Sequence, residues 1–522
     1  MKPKIYDVCI IGAGISGLFC AYLLSHDPLI NICLIEKSPR VGGRVKSKNW
    51  KSGNETFVLE HGAYRFNPKD HPILKGIIDH FRLSKYVYEL ESTNVFFPLV
   101  NEWIVNSLKN AKEKKDDPVF HKIGVLVERF FDDYGKSIPI DDAARMYGYP
   151  ADFEINASWF EGDEKTGSMN SKDTYYSMID TQDNKGLTMI TDCLHETLKE
   201  SSNVDVLLGT FVQKLKNTKD HSTYTLTCEN NNETQHVVCN SCFIGLPMKA
   251  LKKIKGNTVQ SFDHLLHCIK EGDYMRLYAH FPVGYNDFLN EKGFPFLQMP
   301  KIIGKTFLGQ IVPHEQYDNI VMISYCEDDD VSKMMDIVQP QSKPQDKKRV
   351  YSQLSYYIEK HVDTFFEWME KYCPEKNTLY KPYQNIWKQF LTSFDDLNMG
   401  MWESVIGKWK SRIPIQSLHR QMCNPQRNLY LIGEAISEHN QGWIEGALET
   451  AYESYKLYKG LQKNDSKKPS MNNLFLWNEL HPGGSDVICP YVKENNLLDL
   501  KTKMNKIHHG NEAFVTLNSL MN

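Results

Sequence analysis

Short apolar runs and amphipathic stretches divide the chain from its start. Val8 to Ile11 and Ile32 to Ile35 are continuous apolar runs, with the mainly apolar stretch Leu18 to Leu24 between them. Four-residue runs without alternation predict strands buried on both faces, and the stretch between them predicts a helix. Phe57 to Phe66 reads as a strand entering a turn. His71 to Phe81 places Ile73, Leu74, Ile77, Ile78 and Phe81 on one helical face. Residues 82–185 read as mostly helical. Gly186 to Leu198, Tyr351 to Tyr372 and Gly442 to Lys459 read as helices, the last stopped by Gly460. Val204 to Leu215, Tyr224 to Cys228, Val237 to Leu246 and Asn428 to Ile432 read as strands. Met275, Leu277, Ala279 and Phe281 alternate, as on a strand with one buried face. Gln339 to Arg349, rich in Pro, Gln and Lys, reads as a loop.

The first strand and helix are joined by Gly12-Ala13-Gly14-Ile15-Ser16-Gly17. In such a turn the first glycine allows the tight bend. The second lets the backbone approach a pyrophosphate, and the third lets the helix pack on the strand. The helix N-terminus, at Ile15 and Ser16, then offers amides to the phosphates. Glu36, followed by Lys37, stands about 20 residues on, where an acid accepts ribose hydroxyls. Strand, turn, helix, second strand and acid together predict a dinucleotide site. A membrane span over Val8 to Leu24 is excluded: the run is about 17 residues with three glycines, short of the ~20 apolar residues a span needs.

The chain has 522 residues, 41% hydrophobic and 24% charged, with a net charge of −4. That suits a soluble globular protein of more than one domain, with no global pull towards nucleic acid or anionic membrane. Because a strand begins almost at residue one, no secretory or transit peptide is expected, which predicts a cytoplasmic location. The twelve cysteines are then expected to be reduced thiols. Cys239 and Cys242 form a C-x-x-C inside an apolar run with no second pair for zinc, so a structural thiol pair competes with a redox or metal site.

Several motifs in order resemble the flavin-containing amine oxidase superfamily. They are Gly12 to Gly17, Glu36, Gly42-Gly43-Arg44, Gly62-Ala63-Tyr64-Arg65, Gly186-Leu187-Thr188-Met189, Cys242 to Leu251, Gly433-Glu434-Ala435 and Gly442-Trp443-Ile444-Glu445-Gly446. The chain looks closest to L-amino-acid and monoamine oxidases. Its lysine- and asparagine-rich style is also similar to amine oxidases of large DNA viruses.

The resemblance implies FAD rather than NAD, bound non-covalently, since Cys423 stands too near Gly433 to match the cysteine that carries flavin in some relatives. It implies an α/β fold: a discontinuous Rossmann-like FAD-binding domain with an inserted α+β substrate domain and a small C-terminal tail. The expected FAD-binding segments are 1–75, 186–260 and 401–462. The substrate-domain segments are 76–185 and 261–400, and 463–522 is linker and tail. Arg44 would contact the pyrophosphate, Val212 would hold the adenine through its backbone, and Gly433 and Glu434 would approach the ribitol and phosphates. Trp443, between Gly442 and a helix start at Ile444, would line the amine site beside the flavin; a buried core tryptophan is the competing reading. A second aromatic is expected to close this cage, with Trp402, Trp409 and Tyr430 as candidates.

Arg65 would bind a substrate carboxylate in an amino-acid oxidase, or else support the flavin or a helix end. Arg276 stands near the position where relatives carry a lysine that assists reaction with oxygen. It would hold a water there, or face outward from an edge strand. The implied reaction is oxidation of a C–N bond by hydride transfer to flavin N5. The imine then hydrolyses, and oxygen is reduced to hydrogen peroxide. The alternatives are a desaturase or isomerase that uses oxygen poorly, and a flavin-binding protein whose catalysis has decayed. In the tail, His481-Pro482-Gly483-Gly484 resembles the first haem-ligand motif of cytochrome b5-like domains, with His508 or His509 as a second ligand. A degenerate remnant is the competing reading.

Overall fold

The computed structural model describes residues 5–90, 175–218, 223–260, 266, 269–293, 302–303, 306–327, 329–338, 344–372, 374–409, 423–424, 428–437, 440 and 442–460. His481, His508, His509 and most of the segment 82–185 expected to be helical lie outside these residues; the described parts of that segment instead include two paired strands, Val87–Leu90 and Tyr175–Met178.

The strands are β1 (Ile5–Ile11), β2 (Ile32–Ile35), β3 (Ser47–Ser52), β4 (Glu55–Glu60), β5 (Val87–Leu90), β6 (Tyr175–Met178), β7 (Val204–Leu207), β8 (Thr210–Asn217), β9 (Tyr224–Asn230) and β10 (Glu233–Ile244). They continue with β11 (Ile269–His280), β12 (Ile302–Ile303), β13 (Gln310–Pro313), β14 (Ile320–Glu327), β15 (Asp396–Trp409), β16 (Cys423–Asn424) and β17 (Leu429–Leu431). Five helices matter below: α1 (Ile15–Ser25), α2 (Pro72–His80), α3 (Thr188–Glu200), α4 (Pro344–Tyr372) and α5 (Ile444–Tyr458).

The first sheet runs β16-β17-β10-β1-β2-β7, with β8 and β9 continuing from β10. Strands β17, β10, β1, β2 and β7 are mutually parallel, so Ile11, Ile35, Ile244 and Leu431 end on one edge. Beyond β1 the order runs to β2 on one side and β10 on the other. This is a topological switch point, where open α/β sheets bind ligands at the carboxyl ends of their strands. α1 buries every residue from Ile15 to Leu24, because α3 and α5 share its core with the sheet.

The second sheet runs β12-β13-β14-β11-β15 and is antiparallel. It packs on α4, whose Val350, Leu354, Ile358, Val362, Phe365 and Met369 repeat at helical spacing into one core. The expected junction at residue 400 falls inside β15, which pairs with β11 from Asp396 to Trp409. The β3–β4 hairpin packs on the second sheet: Trp50, Phe57 and Leu59 pack with Tyr278, Ile320 and Met322.

Three expectations are corrected here. The loop expected over Gln339 to Arg349 becomes helical from Pro344, because proline is pre-organised for a first helical turn and Asp346 there complements the helix dipole. The strand expected over Val204 to Leu215 divides at Gly209, whose φ of +64° turns the chain into β8. Cys193 on α3 is disulfide-bonded, against the expectation of twelve reduced thiols. Cys239 and Cys242 are buried free thiols, and no group of side chains suited to a metal occurs among the described residues.

Candidate active site

The first sheet's carboxyl edge gathers segments from the whole chain. Gly12 follows β1 and donates its amide to Ile35 O at 2.7 Å; Gly245 follows β10 and donates to Ile11 O at 2.8 Å. Gly12 has φ +101°, and a Cβ there would meet Gly245 O at 2.5 Å. A Cβ on Gly17 would stand 1.9 Å from Gly12 O, so the turn and α1 pack only without side chains. At Gly14 and Gly433 the reverse holds: nothing lies within 4 Å of where a Cβ would be. Gly14 is also the N-cap of α1, with no side-chain cap. Open space in front of a helix N-terminus, lined by backbone, fits a pyrophosphate.

Glu36 accepts from the amides of Ala13 and Ser38, each at 2.8 Å, which fixes its carboxylate at the end of β2. Lys37 is exposed, its Nζ 4.8 Å from the centroid of Phe211. Val212 lies in β8 beside a register shift between Val212 and Lys214. Gly42 donates its amide to Ala13 O at 2.8 Å, holding the Gly42–Arg44 turn against the first one. Arg40, which the sequence reading passed over, donates to Val41 O at 2.8 Å and Gly43 O at 2.6 Å and so shapes that turn. Arg44 pairs with Glu434, Nη1 to Oε1, at 2.6 Å. The other Glu434 oxygen accepts from the Gly442 amide at 2.9 Å. Glu434 therefore ties Arg44 to the segment that carries Trp443. Together these groups fit a dinucleotide that enters at residue 12 and is completed beyond residue 430. Cys423 is buried, its thiol donating to Leu431 O at 3.2 Å.

The Gly62 turn leaves β4 between the two sheets. A Cβ on Gly62 would strike Arg44 O at 1.8 Å, and Ala63 donates its amide to the same carbonyl at 2.9 Å. Arg65 emerges from this turn with its guanidinium carbon 4.6 Å from the Tyr175 ring and 5.7 Å from the Trp443 ring. Tyr175 and Trp443 stack at 5.8 Å with their planes 3° apart. Trp443 is half-buried. Tyr175, which stacks on Trp443, was not singled out by the sequence. No motif marked it, because its neighbour in space is 268 positions away. Tyr430 is instead in the core, stacked on Phe243 at 4.4 Å.

Arg276 corrects another expectation. β11 lies between β14 and β15, so it is no edge strand, and Arg276 is only 8% exposed. Its guanidinium donates to Glu60 O at 3.1 Å and to Gly62 O, and lies over the rings of Tyr64 at 5.1 Å and Tyr325 at 4.9 Å. It braces the turn that carries Arg65. Tyr64 donates its hydroxyl to Glu315 Oε2 at 2.7 Å. Two further groups were missed by sequence reading. Glu60 accepts from Leu187 N and from Ser47 Oγ, each at 2.8 Å, while its second oxygen is buried without a partner in the described structure. Burial pushes its carboxyl up to about 7, against the pull of the Leu187 amide, the Ser47 hydroxyl and Arg276. A Cβ on Gly186 would stand 1.9 Å from that carboxylate, which explains the glycine that opens the 186–189 motif. His61, bonded to Asn398 Oδ1 at 2.8 Å, is held neutral, its pKa pushed down to about 4 mainly by burial.

Comparison with known proteins places this geometry. The profile of a NAD(P)-binding Rossmann-like domain matches residues 10–81, and that of the flavin containing amine oxidoreductases matches residues 127–454. An L-amino-acid oxidase of Notechis scutatus scutatus is 33% identical over 124 residues, covering 24% of this chain and 22% of that protein. L-amino acid oxidase Lm29 of Lachesis muta is 32% identical over 117 residues, 22% of this chain and 20% of the relative. The aligned stretch thus spans about a fifth of these relatives. Solved structures of a putrescine oxidase bound to putrescine and of a cyclohexylamine oxidase from Brevibacterium oxydans share the fold. They align at TM-score 0.51 with 14% and 12% identity, over 87% and 88% of this chain and 98% and 100% of theirs. No helix among the described residues is long and apolar enough to cross a membrane. The match over most of the chain, on the fold and cradle described, makes this protein a member of the flavin-containing amine oxidoreductase family.

Proposed function

We propose that the chain is an FAD-dependent enzyme that oxidises the C–N bond of an L-amino acid, or of a plain amine. The observation that carries this reading is the meeting of Arg65, Tyr175 and Trp443 next to the Gly442 end of the cradle. Among the described residues the Arg65 guanidinium has ring partners and no carboxylate or carbonyl. Stacking uses the faces of a guanidinium and leaves its N–H fork in plane, where it can take a carboxylate with two hydrogen bonds. A carboxylate held there fixes the α-carbon of an amino acid in one orientation. The Tyr175 and Trp443 rings exclude water and favour the neutral amine over its ammonium form. When bound, non-covalently in this reading, FAD supplies a two-electron acceptor for the hydride from the amine-bearing carbon, with oxygen as the terminal acceptor giving hydrogen peroxide. The imine product hydrolyses to a carbonyl compound and ammonia or a smaller amine.

The test is anaerobic mixing of the FAD-loaded protein with L-amino acids and polyamines while the flavin absorbance is followed. Bleaching by amino acids supports the reading, and bleaching by polyamines alone moves the substrate class to plain amines. A yellow protein bleached by none of them is a flavin-binding protein without amine chemistry.

A second reading, a desaturase or isomerase that uses oxygen poorly, is favoured by Arg276. A guanidinium committed to the Glu60 and Gly62 carbonyls stays protonated and cannot act as a base. Bleaching without peroxide release on admission of air would select it.

A further inference from the structure

Two helices begin head to head at the candidate amine site. α2 starts at Pro72, directly after His71, and α5 starts at Ile444, directly after Trp443. Neither has a side-chain cap on its N-cap residue. The His71 and Trp443 rings meet at 4.8 Å between centroids. His71 is buried and accepts the Asn67 amide on Nδ1 at 3.1 Å, which sets its tautomer with the proton on Nε2.

Glu445, in the first turn of α5, is fully buried and reaches across to α2. Its two oxygens accept the amides of Ile73 at 2.9 Å and Leu74 at 2.8 Å. It therefore supplies from another helix the cap that α2 lacks, and its charge lies against two positive helix ends at once. One turn on, Glu449 accepts from Ser437 Oγ and Asn440 Nδ2, each at 2.7 Å, and so holds the loop leading to Trp443. Like charges four apart on a helix repel. That both are kept buried is explained by the donors each one gathers, since an unpaired buried carboxylate is far costlier than the repulsion.

We propose that Glu445 is a positioning residue for Trp443: by stapling the first turn of α2 to the first turn of α5 it fixes the His71 ring against the indole, and so sets where the aromatic wall stands. This rests on the reading of Trp443 as a wall of the amine site. Its test, however, reads the indole directly.

Protein labelled with 5-fluorotryptophan gives a fluorine resonance for residue 443, assigned by its loss in Trp443→Phe. Glu445→Gln keeps the shape but removes the charge and one acceptor. It is expected to shift and broaden that resonance, as is His71→Leu, which removes only the ring contact. If Glu445→Gln does not fold, Glu445→Asp, which withdraws the acceptors but keeps the charge, is read on the same line. A Trp443 resonance unmoved in the folded Glu445 variant overturns the proposal, whether or not any amine reduces the flavin.

Where an amine does reduce it, Glu445→Gln lowers the maximal rate of flavin reduction by about tenfold or more, since small misplacements near a reacting centre carry such losses. The half-saturating amine concentration changes little. Its effect and that of Trp443→Phe then fall short of adding in the double variant. Additive effects mean that Glu445 acts on stability and not through Trp443.

Discussion

Arg44 and Glu434 meet at 2.6 Å across 390 positions of chain, and the pair joins the two ends of the dinucleotide cradle. Glu434 also holds the Gly442 amide, so one carboxylate joins the Arg44 turn to the segment that carries Trp443.

Removing one partner should therefore cost both stability and cofactor. Glu434 is 7% exposed and Arg44 26%. Losing one member of a wholly buried pair costs about 3–5 kcal/mol, and the partial exposure of Arg44 brings the expectation for Glu434→Gln to about 2 kcal/mol. Urea denaturation of the apoprotein measures that loss. Equilibrium dialysis with FAD is expected to show weaker binding in the same variant.

Gly14→Ala and Gly17→Ala should separate cofactor binding from folding. A methyl at Gly14 enters open space, so stability is expected to change by no more than about 0.5 kcal/mol while FAD retention on gel filtration falls. At Gly17 a methyl would stand 1.9 Å from Gly12 O, and destabilisation by roughly 3 kcal/mol is expected from forced overpacking. A Gly14→Ala protein that keeps FAD at full occupancy would remove the pyrophosphate from that position.

Arg65→Ala should lose amino acids selectively. The two charge-assisted hydrogen bonds of a carboxylate on a guanidinium are together worth about 3 kcal/mol or more, a loss of roughly a hundredfold in kcat/KM. Neutral amines, which lack that contact, should change little. Equal losses on both classes would place Arg65 on the flavin side of the site.

The stability of the protein should fall as pH rises through about 7. Glu60 has its folded pKa raised from 4.5 to about 7, so the native state holds its proton more tightly than the unfolded chain does. The contribution is complete below about pH 4.5 and is lost as pH passes 7, with an upper bound of about 3 kcal/mol. Melting temperatures from pH 5 to 8.5 should slope downward in the native protein and less so in Glu60→Gln. Parallel curves for the two proteins would show that Glu60 is not the group responsible.

Local chemistry made much of this legible in the sequence. The Gly12–Gly17 turn, Glu36 and the apolar runs of β1 and β2 all lie within about 30 residues, where spacing and sterics alone dictate strand, turn and helix. The same holds for Gly62 and Gly186, which the motifs marked even though their neighbours were unknown. Tyr175, Arg40 and Glu60 were not legible, and the motif that contains Glu445 did not show its role. An aromatic ring or a carboxylate has no local signature for its role; what it does is set by the group it meets, and for three of these four that group is far away in the chain. Arg276 shows the same limit from the other side. Its strand was recognised by alternation, but which strands flank β11, and so whether the guanidinium faces water or the Gly62 turn, is a matter of sheet order.

By itself the sequence determined a strand, a dinucleotide-type glycine turn, a helix and a second strand, because tight backbone approach admits glycine and little else. The tertiary structure alone decided that residue 434 closes on residue 44, that Tyr175 stacks on Trp443, and that Arg65 lies over both rings. Such contacts depend on how distant segments pack, and packing is a property of the whole fold that no local spacing records.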